Sequence, residues 1–589
     1  MKKAAKIGLV LILVLVLVVA AGIVLWALTR SGKGGVPERT ILEVNLDQQL
    51  IEYVPEDPLA GLLMDEKLRM LDVVAALEAA ADDQRVVALV AKIGSGVSGF
   101  AHHQELRDAI LSFRESGKPA IAWGDTFGEF GSGNAGYYLA TAFDEVYIQP
   151  SGDVGLTGLN AESPFIAGTF EKLGVTPRMD HRYEYKNAMN TLTEKEFTPA
   201  HEEALGAVIE SMFDQMVAGI AERRGKSEDE VRAIIDAGPY LGQEAVDAGL
   251  VDGLKYRDEI YDRVKEAAGE DAELLYLNRY AKRADGPWDE GETIALVYGV
   301  GQVVRGKSEF DPLAGAATLG GDSVAAALRQ AIDDDKVKAI LFRVDSPGGS
   351  YVASDTVWRE TVRAREAGKP VIVSMSNVAG SGGYFVAMSA EKIVAEPGTI
   401  TGSIGVLGGK LLTRELWNKL GITFDSIQTS DNAEVWSSLE DYDEAGWARV
   451  QAMLDRIYED FTTKVAQGRE LPLERVQEIA KGRIWSGADA RELGLVDELG
   501  GFQVALGLAR EAAGLEPDAA VKLKLYPPRK TPFQMLFGEG PDNSEEQAAR
   551  AAAARVLESL RPVTSVLQRA GLLGPEPGVL SMSYGVEIE

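Results

Sequence analysis

Three short stretches hold the residue types that could do chemistry. Ser381 lies in NVAGSGGYFVA (377–387), with small residues on either side. Gly348 and Gly349 lie in SPGGS (346–350), directly after an apolar run. Lys186 lies in HRYEYKNAMNTLTEKEFTP (181–199), among Tyr183, Tyr185 and Asn187. A serine hydroxyl beside a base can attack an acyl carbon. Glycine amides converging on one point can hold the oxyanion that forms. Each stretch also has a plain structural reading: a serine N-cap, a proline-glycine turn and a surface lysine. The possible bases are few. The four histidines, His102, His103, His181 and His201, all precede residue 202, so a histidine partner for Ser381 must come from far away, and His181 is the plausible one. Otherwise the base is a lysine, as in serine–lysine variants of the triad. The chain has no cysteine, which excludes thiolate catalysis, disulfides, zinc–thiolate and iron–sulfur sites.

What must position these residues is a repeated unit. DQRVVALVAKIGSG (83–96) matches DKVKAILFRVDSPG (335–348), and ESGKPAIA (115–122) matches EAGKPVIV (366–373). GYYLATAFDEVYIQP (136–150) matches GYFVAMSAEKIVAEP (383–397), and KLGVT (172–176) matches KLGIT (419–423). ILEVNLDQQLIEY (41–53) and AGLVDGL (248–254) likewise find partners at 294–306 and 493–499. Six ordered matches with a nearly constant offset imply a duplication. In each copy, near-continuous apolar strands alternate with amphipathic helices, which predicts βα units, a largely parallel sheet and helices on both faces. Comparing the copies locates the chemistry. At the place of Ser381, copy one has Asn134, and at the place of SPGGS it has SGVSG (95–99). The window of copy two that corresponds to Lys186 (424–440) has no lysine. Copy two therefore holds the serine and copy one the lysine.

The chain has 589 residues, too many for one core. With 90 acidic against 60 basic side chains, its net charge of −30 argues against nucleic acid or an anionic surface as the main partner. Lys2, Lys3 and Lys6 precede an uncharged apolar run, 7–29, long enough to span a bilayer. The flanking charges predict a cytoplasmic N-terminus and an exported remainder. The rival is a signal peptide cleaved after Val19-Ala20-Ala21. The expected organisation is a cytoplasmic stub (1–6), an anchor (7–29), an N-terminal repeat (39–276), a polar linker (277–292), a C-terminal repeat (293–515) and a tail (516–589) with no readable role.

At these residues the chain resembles the signal peptide peptidase A (protease IV) family of serine peptidases, in its long duplicated form. The likeness runs over about residues 1–515 and includes YKNAMNTLTEKEFTPAHEE (185–203), RVDSPGGS (343–350), NVAGSGGYFVA (377–387), EPGTITGSIGV (396–406) and GRIWSGADARELGLVDELGG (482–501). It implies an α/β fold of tandem Clp-protease/crotonase-like domains, each a spiral of β-β-α units. It implies Ser381 as nucleophile, Lys186 as general base, and Gly349 and Gly382, with Gly348 beside them, as the oxyanion hole. It also implies remnant signal peptides as substrates, a homotetramer, and an inner-membrane protein with its catalytic part on the periplasmic side. No cofactor, metal or nucleic acid is expected. Two rival classes stand beside it: an acyl-CoA enzyme of the crotonase type, and a non-catalytic membrane scaffold.

Overall fold

The computed structural model describes residues 35–53, 67–311, 316–528, 580–581 and 587–588. The expected anchor, 7–29, and most of the expected tail lie outside the described residues.

Copy one contains β1 (Thr40–Asn45), α1 (Met70–Asp82), β2 (Val86–Lys92), α2 (Phe100–Glu115), β3 (Ala120–Gly124), α3 (Asn134–Ala140), β4 (Glu145–Ile148), β5 (Thr176–His181), α4 (Pro199–Arg224), β6 (Gly253–Leu254) and β7 (Glu273–Tyr276). Six of its strands form one sheet in the order β6-β4-β3-β2-β1-β7, every pair parallel. Alternation along the strands fills both faces. Leu42, Leu89 and Ala91 join the main core with Val74 and Leu77 of α1. Ile41, Ala88, Val90 and Ile121 point the other way and pack with Ile260 and Val264. Helix α4 is 26 residues long and apolar enough to cross a membrane by composition alone. Here it is a core helix: Val208, Met212, Met216 and Ile220 are buried, and Ser211 bonds across to Ser486. The Thr198 hydroxyl caps its start and a left-handed Gly225 ends it.

Copy two contains β8 (Glu292–Val300), α5 (Gly321–Asp333), β9 (Val337–Ser346), β10 (Gly348–Gly349), α6 (Tyr351–Glu366), β11 (Val371–Gly380), α7 (Gly382–Ala387), β12 (Lys392–Ala395), β13 (Ile400–Gly402), β14 (Leu407–Leu412), α8 (Glu444–Gly468), β15 (Ile484–Ser486), β16 (Glu498–Leu499), α9 (Phe502–Ala512) and β17 (Val521–Tyr526). The path β16-β12-β11-β9-β8-β17 repeats the strand order of copy one. At the far end of β11, β13 takes the place of β12 as its neighbour, and β13 pairs with β15.

Two features tie the copies together. Strand β5 of copy one pairs antiparallel with β14 of copy two, from Thr176↔Leu412 to His181↔Leu407. Helix α9, at the end of copy two, lends Phe502, Ala505 and Leu506 to the same core as Leu77 and Ile110 of copy one. Two stretches differ from expectation. The polar-looking linker buries Leu277, Tyr280 and Trp288. Residues 521–526, past the point where the sequence repeat fades, form β17 beside β8, as β7 lies beside β1.

Candidate active site

Ser381 sits where β11 ends and α7 begins, so the strand must turn sharply within one residue. Its backbone has φ 55 and ψ −114, a conformation that L-residues rarely adopt and that costs about 1–3 kcal/mol. The Ser381 N–H donates to the Gly402 carbonyl at 2.8 Å, which helps hold the turn. Ser381 stands at the N-cap position, yet its side chain makes no capping hydrogen bond. Its Oγ instead lies 2.7 Å from Lys186 Nζ, across 195 positions of sequence. Both side chains are buried, at 0% and 1% exposure.

Lys186 arrives on the chain that leaves β5, five residues after the strand pairs with β14. Its Nζ has two other neighbours, the Ser403 carbonyl at 2.9 Å and the Ser403 hydroxyl at 3.0 Å. No ion pair reaches Lys186 among the described residues, and burial holds its amine well below the ordinary lysine range. The slot for this side chain is cut by Gly482, whose φ is +82 and where a Cβ would come within 2.5 Å of Lys186 Cβ. Ser403 and Gly482 carry no signal of this role as single letters. Ser403 is itself at positive φ, 51, which only the backbone reveals.

The glycine pair comes to the same point. A Cβ on Gly382 would lie 3.0 Å from both Gly348 Cα and Gly349 N. The Gly382 N–H belongs to the first residue of α7, where a helix leaves its amides without intrahelical acceptors. The Gly348 N–H, by contrast, is taken by Ser346 Oγ at 3.2 Å, and that hydroxyl donates to the Gly301 carbonyl at 2.7 Å. Gly348 and Gly349 form an edge on which residues 580 and 581 of this chain pair antiparallel.

The four histidines lie elsewhere. The His181 ring has an unpartnered Nδ1, and its backbone belongs to β5. His103 and His201 are each held down to about 4 by burial, which keeps both rings neutral. His102 contacts the strand that leads to Ser381 but not the serine. The arrangement is thus a strained serine, a buried amine within hydrogen-bond reach and a helix-start amide beside a glycine edge. It can carry out attack of a hydroxyl on an acyl carbon with no acidic group at the base.

Comparison with known proteins gives consistent results. A model of the family described as Peptidase family S49 matches residues 112–271 and 363–516. Lys186 falls in the first segment and Ser381 in the second. A chloroplastic serine protease of Arabidopsis thaliana, named SPPA, is 32% identical over 470 residues, covering 78% of this chain and 68% of that protein. Protease 4 of Haemophilus influenzae is 30% identical over 500 residues, covering 81% of this chain and 78% of the relative. Protease 4 of Salmonella typhi is 32% identical over 461 residues, with 76% and 72% covered.

Proposed function

The chain belongs to peptidase family S49, and from that premise we propose that it is a membrane-anchored serine endopeptidase with Ser381 as nucleophile and Lys186 as general base. The observation that carries this reading is the 2.7 Å approach of a buried, unpaired amine to a serine hydroxyl that caps nothing. A neutral amine has two N–H donors and one lone pair. The two oxygens of Ser403 accept the donors, and the lone pair faces Ser381. Lys186 Nζ takes the hydroxyl proton as Oγ bonds to the peptide carbonyl carbon. The oxyanion is held by the Gly382 and Gly349 amides, with Gly348 shaping the edge. Lys186 returns the proton to the leaving nitrogen as the C–N bond breaks. Water, deprotonated by the same amine, then hydrolyses the acyl-enzyme. The site is read as needing neither cofactor nor metal.

The substrates of this reading are apolar peptides left in the membrane after preproteins are processed, held as an added strand along Gly348–Gly349. The fit of residues 580–581 against that edge supports strand addition. The finer architecture is a pair of Clp-protease/crotonase-like spirals, at 39–276 and 293–515, behind a single anchor at 7–29 in the inner membrane. A ring of copies, four by resemblance, would enclose the site. Ile427 and Trp436 support assembly: they are exposed large apolar residues on the segment of copy two that matches the lysine-bearing segment of copy one. Trp436→Asp lowers the mass of the particle in light scattering if that segment is an interface, and leaves it unchanged if it is not.

Labelling with a fluorophosphonate tests the reading. The folded wild type takes up the label and Ser381→Ala does not. An unlabelled wild type points to the acyl-CoA or scaffold class and refutes the peptidase.

A further inference from the structure

Strand β11 does not run straight to the nucleophile. It stays in register with β9 from Ile340↔Val371 to Val344↔Met375, and then resumes at Ser346↔Ala379. On the β9 side, residues 376, 377 and 378 of β11 therefore face Asp345 alone, while Val378 pairs with Ile400 of β13 on the other. Two extra residues bulge out of the ladder just before Ser381, and such a bulge loses its ladder partners. Side chains replace them. The Val378 N–H donates to Asp345 Oδ1 at 3.0 Å. The Ser376 carbonyl accepts from the Thr399 hydroxyl at 2.8 Å.

The rest of the bulge is held from copy one. The backbone N–H of His102, at the start of α2, donates to Asn377 Oδ1 at 3.0 Å. Asn377 Nδ2 donates to the Ser98 carbonyl at 3.2 Å and lies 2.7 Å from His102 Nδ1. His102 Nε2 lies 2.8 Å from Ser376 Oγ and 3.0 Å from Glu52 Oε2. Glu52 in turn pairs with the fully buried Arg343 guanidinium, which also pairs with Glu105 and donates to the Ser374 hydroxyl. Burial opposes charge on the His102 ring, but Glu52 and Asp345 outweigh it and hold the ring above its ordinary range. His102 Nδ1 also lies 2.9 Å from the Ser98 carbonyl, so the ring meets Ser98 and Asn377 on one side and Ser376 and Glu52 on the other. The fit is close: a Cβ on Gly99, φ +83, would strike Asn377 Oδ1 at 2.1 Å.

We propose that His102 and Asn377 are positioning residues for the nucleophile: together they set the bulge whose far end places the Ser381 hydroxyl against Lys186. Copy one then reaches the reacting serine twice, by the lysine it delivers and by the clamp on the strand behind it. This rests on the peptidase reading above. The strained turn at Ser381 needs surroundings that over-determine it, and the clamp is four residues upstream.

The test is the rate constant of fluorophosphonate labelling per active site, with kcat and KM on a peptide, in the full-length protein. Asn377→Ala removes the link without disturbing a buried charge. It is expected to lower the labelling rate constant and kcat by roughly 10-fold or more, since small misplacements of a reacting group are costly, with KM unchanged within about twofold. Asn377→Asp keeps the acceptor for the His102 N–H, loses the donor to the Ser98 carbonyl, and restores part of the rate. His102→Gln, which keeps a donor toward Ser376, falls between wild type and Asn377→Ala. A purely structural role would lower the labelled fraction and the melting temperature while the surviving sites react at the wild-type rate, and that result overturns the proposal. Equal rates in all four proteins overturn it too. A wild type that takes no label overturns instead the peptidase reading beneath it.

Discussion

Asn134 and Ser381 occupy the same place in two copies of one unit, at the start of the short helix after the third sheet strand. Ser381 is an N-cap at positive φ and Asn134 is the first residue of its helix, and their side-chain partners differ more. The Asn134 amide is fully employed: Nδ2 donates to Ser132 Oγ at 2.8 Å and the Gly158 carbonyl at 2.7 Å, and Oδ1 accepts from the N–H groups of Thr157 and Gly158. Ser381 makes no local side-chain bond and is met by an amine from the other copy. Copy one uses the position to staple a loop, and copy two leaves it poised. A buried polar group with all its partners is structure. One that meets only a desolvated amine is the candidate for chemistry.

Removing the visiting amine breaks this contrast most severely. Lys186→Met keeps the length of the side chain and deletes the lone pair. It is expected to cut kcat by about 10³-fold or more, on the scale seen when one member of a nucleophile–base pair is removed. Stability should move the other way. Below its depressed folded pKa, Lys186 is charged in the folded as well as the unfolded state, and the full cost of a buried ammonium is present. Above it and up to about 10.4, only the unfolded chain holds the proton, so wild-type stability rises with pH across that window. The melting-temperature advantage of Lys186→Met is therefore greatest in acid and shrinks as pH rises. Wild-type activity rises with pH through the same depressed pKa, because only the neutral amine can accept the proton. An advantage that is flat with pH would mean that Lys186 is not desolvated.

Ser403 sharpens the comparison at the next level down. Both of its oxygens lie within 3.0 Å of Lys186 Nζ, and in the proposed mechanism they take both donors of the neutral amine and leave the lone pair for Ser381. Ser403→Ala removes one of them and is expected to lower kcat by roughly 10-fold to 100-fold, the range for lost positioning of a reacting group, with KM little changed. A change confined to KM would place Ser403 in substrate contact instead.

Much of this was legible in the letters because duplication supplied its own comparison. The repeated apolar runs marked the parallel strands, and the absence of a lysine from 424–440 and of a serine at 134 marked the division of labour. The unreadable parts have physical causes. Ser403 meets Lys186 through a left-handed backbone and a carbonyl, and neither is a property of residue type. The bulge at 376–378 arises from two sheet registers meeting, and VIVSMSNVAG reads as an uninterrupted strand. Strand β17 is KLKL-like, with lysines at alternate positions suited to a sheet edge, so its charge hid a strand that pairs with β8. The linker looked polar because three buried side chains, Leu277, Tyr280 and Trp288, are spread over a dozen charged and small residues.

The smallest effect on activity should come from the most literal interchange. Asn134→Ser gives copy one the hydroxyl of copy two, at the start of an equivalent helix. No amine reaches it, because the Lys186 amine of copy one already lies against Ser381 of copy two. The new serine should therefore remain unlabelled by fluorophosphonate, and the double variant Asn134→Ser with Ser381→Ala should be inactive. Stability should still fall. A shorter side chain cannot span Ser132, Thr157 and Gly158 at once, and buried groups left without partners cost about 1–3 kcal/mol. The expected result is a lower melting temperature with kcat unchanged. Label at residue 134 would show that the turn alone activates a serine, and the contrast between the copies would then rest on the backbone and not on the lysine.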